Sequence, residues 1–198
     1  MMKTPLFIAM EGLDGSGEST QADLLKKYFE DRKIKVLLTK EPYIKTKFGK
    51  TIRKVLEKKI KIGLRELQDL FTKNREEHLK KLILPSLKKG ITVISDRYYF
   101  STFAFGGASG VDIEYLISKN KKFLHPDITF ILDVNPKTAI SRIEKRRKPK
   151  EFFEKLSRLV GTRKFYQTFS KRFKNVYIIN GEKSIDEVFK QIKRRLEK

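Results

Sequence analysis

Residues 11–20 read Glu-Gly-Leu-Asp-Gly-Ser-Gly-Glu-Ser-Thr, and an apolar run at 6–10 leads into them. Gly12, Gly17 and Ser19 fall at the spacing of G-x-x-x-x-G-K-[ST], the loop that wraps an anion between a strand and a helix. Residues 6–10 read as that strand and 19–32 as that helix. The strand–loop–helix order commits the chain to an α/β fold more firmly than any other feature. Glycines let main-chain N–H groups converge on a phosphate, and the helix N-terminus adds partial positive charge. Glu18 stands where the lysine of the pattern would hold the β- and γ-phosphates. The loop therefore reads as a nucleotide site with an opposing charge inside it.

The rest of the chain alternates between short apolar runs and amphipathic stretches. Strands are expected at 35–39, 91–95, 127–134 and 175–179. Helices are expected at 48–58, 65–89, 112–120, 136–147, 153–173 and 184–197. Alternation of this kind predicts a five-stranded parallel sheet with helices on both faces, three layers in all. With 198 residues the chain fits one domain, 1–198, with a short basic lid at about 142–153. In such sheets ligands sit beyond the carboxyl ends of the strands. The loop after the first strand, residues 40–43 after the second and 96–98 after the third are therefore expected along one edge.

Forty-six Lys+Arg against 24 Asp+Glu give a formal net charge of +22. That excess suits polyanionic ligands, and by itself predicts weak, sequence-indifferent attraction to nucleic acid. No compact aromatic–basic motif accompanies it. There is no cysteine, which excludes disulfides and thiolate metal sites. The first residues carry no secretory pattern, and the run at 6–10 is too short to span a bilayer, so no membrane association and a cytoplasmic location are expected.

Ser19, opening the first helix, has the placement of a hydroxyl ligand to Mg²⁺. Asp96, ending an apolar strand, has that of the acidic residue reaching the same ion. Arg97 can fork two hydrogen bonds onto a phosphate, a geometry lysine cannot match. Phe71 and Arg75, four apart on a long helix, share a face suited to stacking and hydrogen bonding a nucleobase, and equally to an ordinary amphipathic contact. His78 and His125 read as structural.

With these segments laid out, the chain resembles thymidylate kinases, most closely archaeal ones, over nearly its whole length. The resemblance rests on EGLDGSGEST at 11–20, TKEP at 39–42, LFTKNREEH at 70–78, DRYYFSTFAF at 96–105 and PDITFILDV at 126–134, in that order. It implies the P-loop NTPase fold, phosphoryl transfer from ATP to dTMP with Mg²⁺, and a homodimer. Gly12, Leu13, Asp14, Gly15, Ser16, Gly17, Glu18, Ser19 and Thr20 would wrap the donor. Asp14 would approach the acceptor's sugar, Phe71 would stack on thymine and Arg75 would bond the base. Arg97 would hold the acceptor phosphate, beside Lys40 and Glu41, with Ser101 and Phe105 next to base and ribose. Lid arginines among Arg142, Arg146 and Arg147 would reach the transferring group. Gly15 stands where some members carry a loop arginine, so this chain looks like the type that relies on its lid.

Four positions depart from the family pattern. Glu18 replaces the loop lysine, Lys40 an arginine before Glu-Pro, Phe105 a tyrosine and Gly106 a glutamine, with Ser109 in the place of a second glutamine. Beside a working dTMP kinase, two readings stay open: a nucleotide-binding homologue or variant crippled by Glu18, and a basic nucleic-acid-binding protein on the same fold. The changes at 105 and 106 also leave open a different nucleoside monophosphate as acceptor.

Overall fold

The computed structural model describes residues 5–145 and 152–197. Five strands, β1 (Phe7–Gly12), β2 (Val36–Lys40), β3 (Thr92–Asp96), β4 (Ile128–Asp133) and β5 (Val176–Asn180), form one sheet in the order β2-β3-β1-β4-β5. Every neighbouring pair is parallel. The sheet is the expected one, with boundaries moved by a residue or two.

Alternation along the strands feeds two cores. Phe7 and Ala9 of β1, Val93 of β3 and Ile131 of β4 pack to one side. Ile8, Met10, Ile94, Phe130 and Leu132 pack to the other. Helices α1 (Glu18–Glu30) and α9 (Ile185–Leu196) cover the second face through Leu25, Phe29, Val188 and Ile192. The first face is covered largely by α5 (Tyr99–Ala108) and α8 (Phe152–Arg172), with Ala139 and Ile140 of α7 (Pro136–Glu144). Ser184 and Glu187 form a reciprocal capping box that starts α9, and Asp112 caps α6 (Ile113–Asn120) by accepting from Tyr115 N–H at 2.6 Å.

Two features differ from expectation. The single long helix over 65–89 is α3 (Leu64–His78), a π-helical turn (Leu79–Ile83) and α4 (Leu84–Lys88). Pro85 has no N–H for the carbonyl four residues back, and the widened turn lies where that bond is missing. Helix α5 was not legible at all, since its aromatic residues and two glycines are poor helix formers. Packing overrides propensity there. Tyr99, Phe100, Phe103 and Ala104 are buried, and a Cβ on Gly107 would lie 2.8 Å from the Phe165 ring of α8. The glycine permits the close approach of the two helices.

After β2, α2 (Lys47–Leu56) begins at Thr46, whose hydroxyl accepts from Gly49 N–H at 2.9 Å. No helix of the described residues is long and apolar enough to cross a membrane.

Candidate active site

The sheet order brings the ends of β1, β2 and β3 side by side, with Lys40 and Met10 both in register with Asp96. A cleft of about 1430 Å³ runs along this edge, larger than the roughly 300–1,000 Å³ of one small-molecule site. One part is lined by the glycine loop with Arg142, Gly181 and Ile185, the other by Phe71, Arg75, Ser101 and Phe105. Asp96 and Arg97 line the same cleft as both groups of residues.

The loop has the backbone an anion cradle needs. Gly15 and Gly17 have φ of 85° and 104°, in the left-handed region, and a Cβ on Gly15 would fall 2.5 Å from the Ala139 carbonyl. Gly17 caps α1 without a side chain. From the far side, Arg142 ties the loop down, donating to the carbonyls of Ser16 at 3.3 Å and Gly181 at 3.0 Å.

Glu18 is buried, and its carboxylate meets the Arg97 guanidinium in an ionic contact without a well-aligned hydrogen bond. The side chain thus engages the arginine of the turn after β3 while still lining the cleft. Burial raises the Glu18 carboxyl above the ordinary range, and Arg97 only partly offsets that. Arg97 also donates to Asp14 at 3.0 Å, to the Gly12 carbonyl at 2.8 Å and to Ser101 at 3.1 Å. Burial works against its charge, and Glu18 and Asp14 more than compensate. Its backbone is left-handed, φ 74°, a conformation costing a non-glycine residue about 1–3 kcal/mol and typical of functional sites.

At the metal position, Ser19 Oγ donates to Asp96 Oδ2 at 2.5 Å. Lys40 Nζ lies 2.6 Å from the same oxygen and 3.4 Å from Ser19 Oγ. Asp96 Oδ1 is buried with no hydrogen-bond partner. An orphaned carboxylate oxygen beside a hydroxyl is the hard-oxygen chemistry that Mg²⁺ takes, so these residues fit the ion. Among the described residues no group of three or more His, Cys, Asp or Glu is placed to enclose a metal. Such an ion would complete its shell with phosphate and water oxygens.

Arg75 is 1% exposed and held on every nitrogen. Nε and Nη2 meet Glu41 at 2.9 and 2.7 Å, Nη1 donates to Asn120 at 2.5 Å and Nη2 to Thr102 at 3.0 Å. Glu41 in turn faces His78 Nδ1 at 3.3 Å, and His78 Nε2 lies 2.8 Å from Thr39 Oγ1. His125 pairs with the Tyr99 hydroxyl at 2.7 Å. Both histidines are tied within the fold. Phe71 is half-buried on the cleft wall, and Phe105 lies under Arg97 at 5.4 Å.

Leu13 is buried in the core beneath the loop, and Thr20 is half-buried on α1 at the cleft. Arg146 and Arg147, with half of the expected lid, lie outside the described residues. Sequence reasoning passed over Glu11 as a functional group, although a carboxylate inside an apolar strand was the available signal. Its oxygens accept from Tyr98 N–H at 2.9 Å, Ser101 Oγ at 2.5 Å and Tyr166 OH at 3.2 Å. Burial raises its pKa to about 7 despite these bonds and the nearby Arg97. Thr102, Asn120 and Gln68 also had no local signal.

Residues 10–192 match the family model described as Thymidylate kinase. A probable thymidylate kinase of Thermococcus kodakarensis is 40% identical over 195 residues, covering 94% of this chain and 95% of the relative. One from Pyrococcus abyssi is 40% identical over 191 residues, covering 94% and 93%. A bacterial relative, the thymidylate kinase of Leptospira borgpetersenii, is 38% identical over 194 residues, covering 96% and 92%.

Proposed function

Because the chain belongs to the thymidylate kinase family, we propose that it transfers the terminal phosphoryl group of ATP to dTMP, giving ADP and dTDP. The observation carrying this reading is the single large cleft that the phosphate loop, Asp96, Arg97 and the Phe71–Arg75 face of α3 all line. Membership of the family favours a working kinase over a crippled homologue or a nucleic-acid-binding protein, with Glu18 bearing on its rate. The positive surface supports only non-specific contact with nucleic acid.

Phosphoryl transfer asks the protein mainly for positioning and for cations around the transferring group. In this reading the loop amides from Gly12 to Thr20 wrap the donor phosphates. Ser19 and Asp96 would hold Mg²⁺, which would neutralise phosphate charge during transfer. Lys40, whose ammonium already reaches Asp96 and Ser19, supplies charge that the usual loop lysine would bring. Phe71 stacks the acceptor base with Arg75 at its edge, and Asp14 and Ser101 border the sugar. Arg97 exchanges one anion for another, leaving Glu18 and Asp14 for the acceptor phosphate. Arg142 keeps the loop seated, and Arg146 and Arg147 are assigned to the transferring group on the family resemblance alone.

A homodimer and a cytoplasmic location complete the reading. The exposed Leu56, Ile60 and Leu64 around the connection from α2 to α3 support the first, testable by light scattering. The activity test is ADP release in a coupled assay with dTMP, dUMP, UMP, CMP and AMP as acceptors. Turnover with dTMP above the rest is expected; activity with another acceptor and none with dTMP would sink the assignment.

A further inference from the structure

Gln68 sits on α3 on the same face as Phe71 and Arg75, and all three line the acceptor compartment. It is 5% exposed. Its carbonyl accepts from Thr72 Oγ1 at 3.0 Å, but among the described residues no group bonds its side-chain amide. Its amide is accessible from the cleft, where water or a ligand group can bond it. The neighbouring backbone explains how it comes to lie there. A Cβ built on Gly106 of α5 would sit 3.1 Å from Gln68 Cδ and 3.2 Å from Oε1, and 2.8 Å from Leu116 Cδ1. The amide thus lies against bare α5 backbone, in space that a side chain at 106 would contest.

We propose that Gln68 is a specificity-determining residue that reads the imide edge of the acceptor's pyrimidine, a role opened by the absence of a side chain at Gly106. The proposal rests on the acceptor reading of this compartment given above. The amide offers one acceptor oxygen beside two N–H donors. Thymine and uracil present the complement, an N3–H donor flanked by carbonyl acceptors. Oε1 accepts from N3–H while Nε2 donates to the adjoining carbonyl, giving a two-point planar contact. A glutamine amide can flip to suit cytosine, but Arg75 on the same face has no acceptor and keeps one Nη1 N–H beyond its bond to Asn120, which favours a base with carbonyls.

Calorimetric binding of dTMP and of its N3-methyl derivative, with steady-state kinetics, tests this on the full chain. Gln68→Leu is expected to weaken dTMP binding about tenfold while leaving the KM for ATP unchanged. Methylation at N3 should weaken binding to the parent protein by at least about tenfold and to the variant much less. Gly106→Ala should weaken dTMP binding in the parent and less so when combined with Gln68→Ala, because the clash with the amide is gone. Gln68→Met, unbranched and a good helix former, repeats the test if the leucine variant folds poorly. Parent-like dTMP affinity in a folded variant, or an equal methyl penalty in both proteins, would overturn the proposal and leave the kinase assignment standing. A parent protein that binds another acceptor and not dTMP would remove both.

Discussion

The buried Glu18 carboxylate and the partly exposed Arg97 guanidinium form an ion pair at the cleft, joining the start of α1 to the turn after β3. Two residues expected to serve donor and acceptor separately are therefore coupled before either nucleotide arrives. The carboxylate occupies an arginine suited to phosphate, and it brings negative charge close to the loop.

Replacing Glu18 by lysine should raise dTMP phosphorylation by at least about two orders of magnitude. A cation at ~4 Å from a phosphate oxygen gains roughly 4 kcal/mol at an effective dielectric of about 20. About 2.7 kcal/mol of that appearing in the barrier corresponds to about a hundredfold. Glu18→Gln, which only releases Arg97, should give a smaller gain. Equal rates for all three proteins in an ADP-release assay would refute the electrostatic account.

Lys40 brings a cation to the metal position, with Nζ 2.6 Å from Asp96 and a side chain 59% exposed. Lys40→Ala should lower kcat/KM by roughly ten- to a hundredfold, or about 1.4–2.7 kcal/mol, while Lys40→Arg keeps most of the activity. An alanine variant as fast as the parent would show that the ammonium contributes nothing to transfer.

Glu11 gives a pH signature. Its folded pKa of about 7 lies above the ordinary carboxylate value of 4.5, so between these limits the folded chain holds a proton that the unfolded chain releases. Stability then falls as pH rises through that window and levels off above it. Glu11→Gln should flatten this component. Urea melts of both proteins from pH 4.5 to 8 should show the parent losing stability relative to the variant; parallel curves would contradict the assignment.

Arg75→Met should destabilise the fold by about 3–5 kcal/mol, because Glu41 keeps a buried charge without its main partner. Pairing it with Glu41→Gln should recover a good part of that loss. Thermal melts report both. A single variant within about 1 kcal/mol of the parent would mean that water reaches Glu41 more freely than its 3% exposure indicates.

Much of the architecture was open to reading in one dimension. Gly15 and Gly17 announced a backbone that only glycine adopts cheaply, and the apolar runs at β1 to β5 announced a buried parallel sheet. The site was less legible. Phe71, Arg75, Arg97 and Asp96 were recognisable from spacing and resemblance, but not what each one touches. Helix α5 escaped because its formation depends on burial against α8 and the sheet, which outweighs its poor local propensities.

By itself the amino-acid order determined the phosphate loop, the alternating elements and the edge of the sheet where ligands gather. These follow from backbone preferences and side-chain periodicity within a few residues. Only the tertiary structure decided that Glu18 turns onto Arg97, that Arg75 is locked by Glu41, Thr102 and Asn120, and that Gln68 lies open against Gly106. The three partners of Arg75 stand 34, 27 and 45 positions away from it. Contacts of that range are set by which faces pack together, and charge and hydrogen bonding then act between whatever groups the packing has brought within reach.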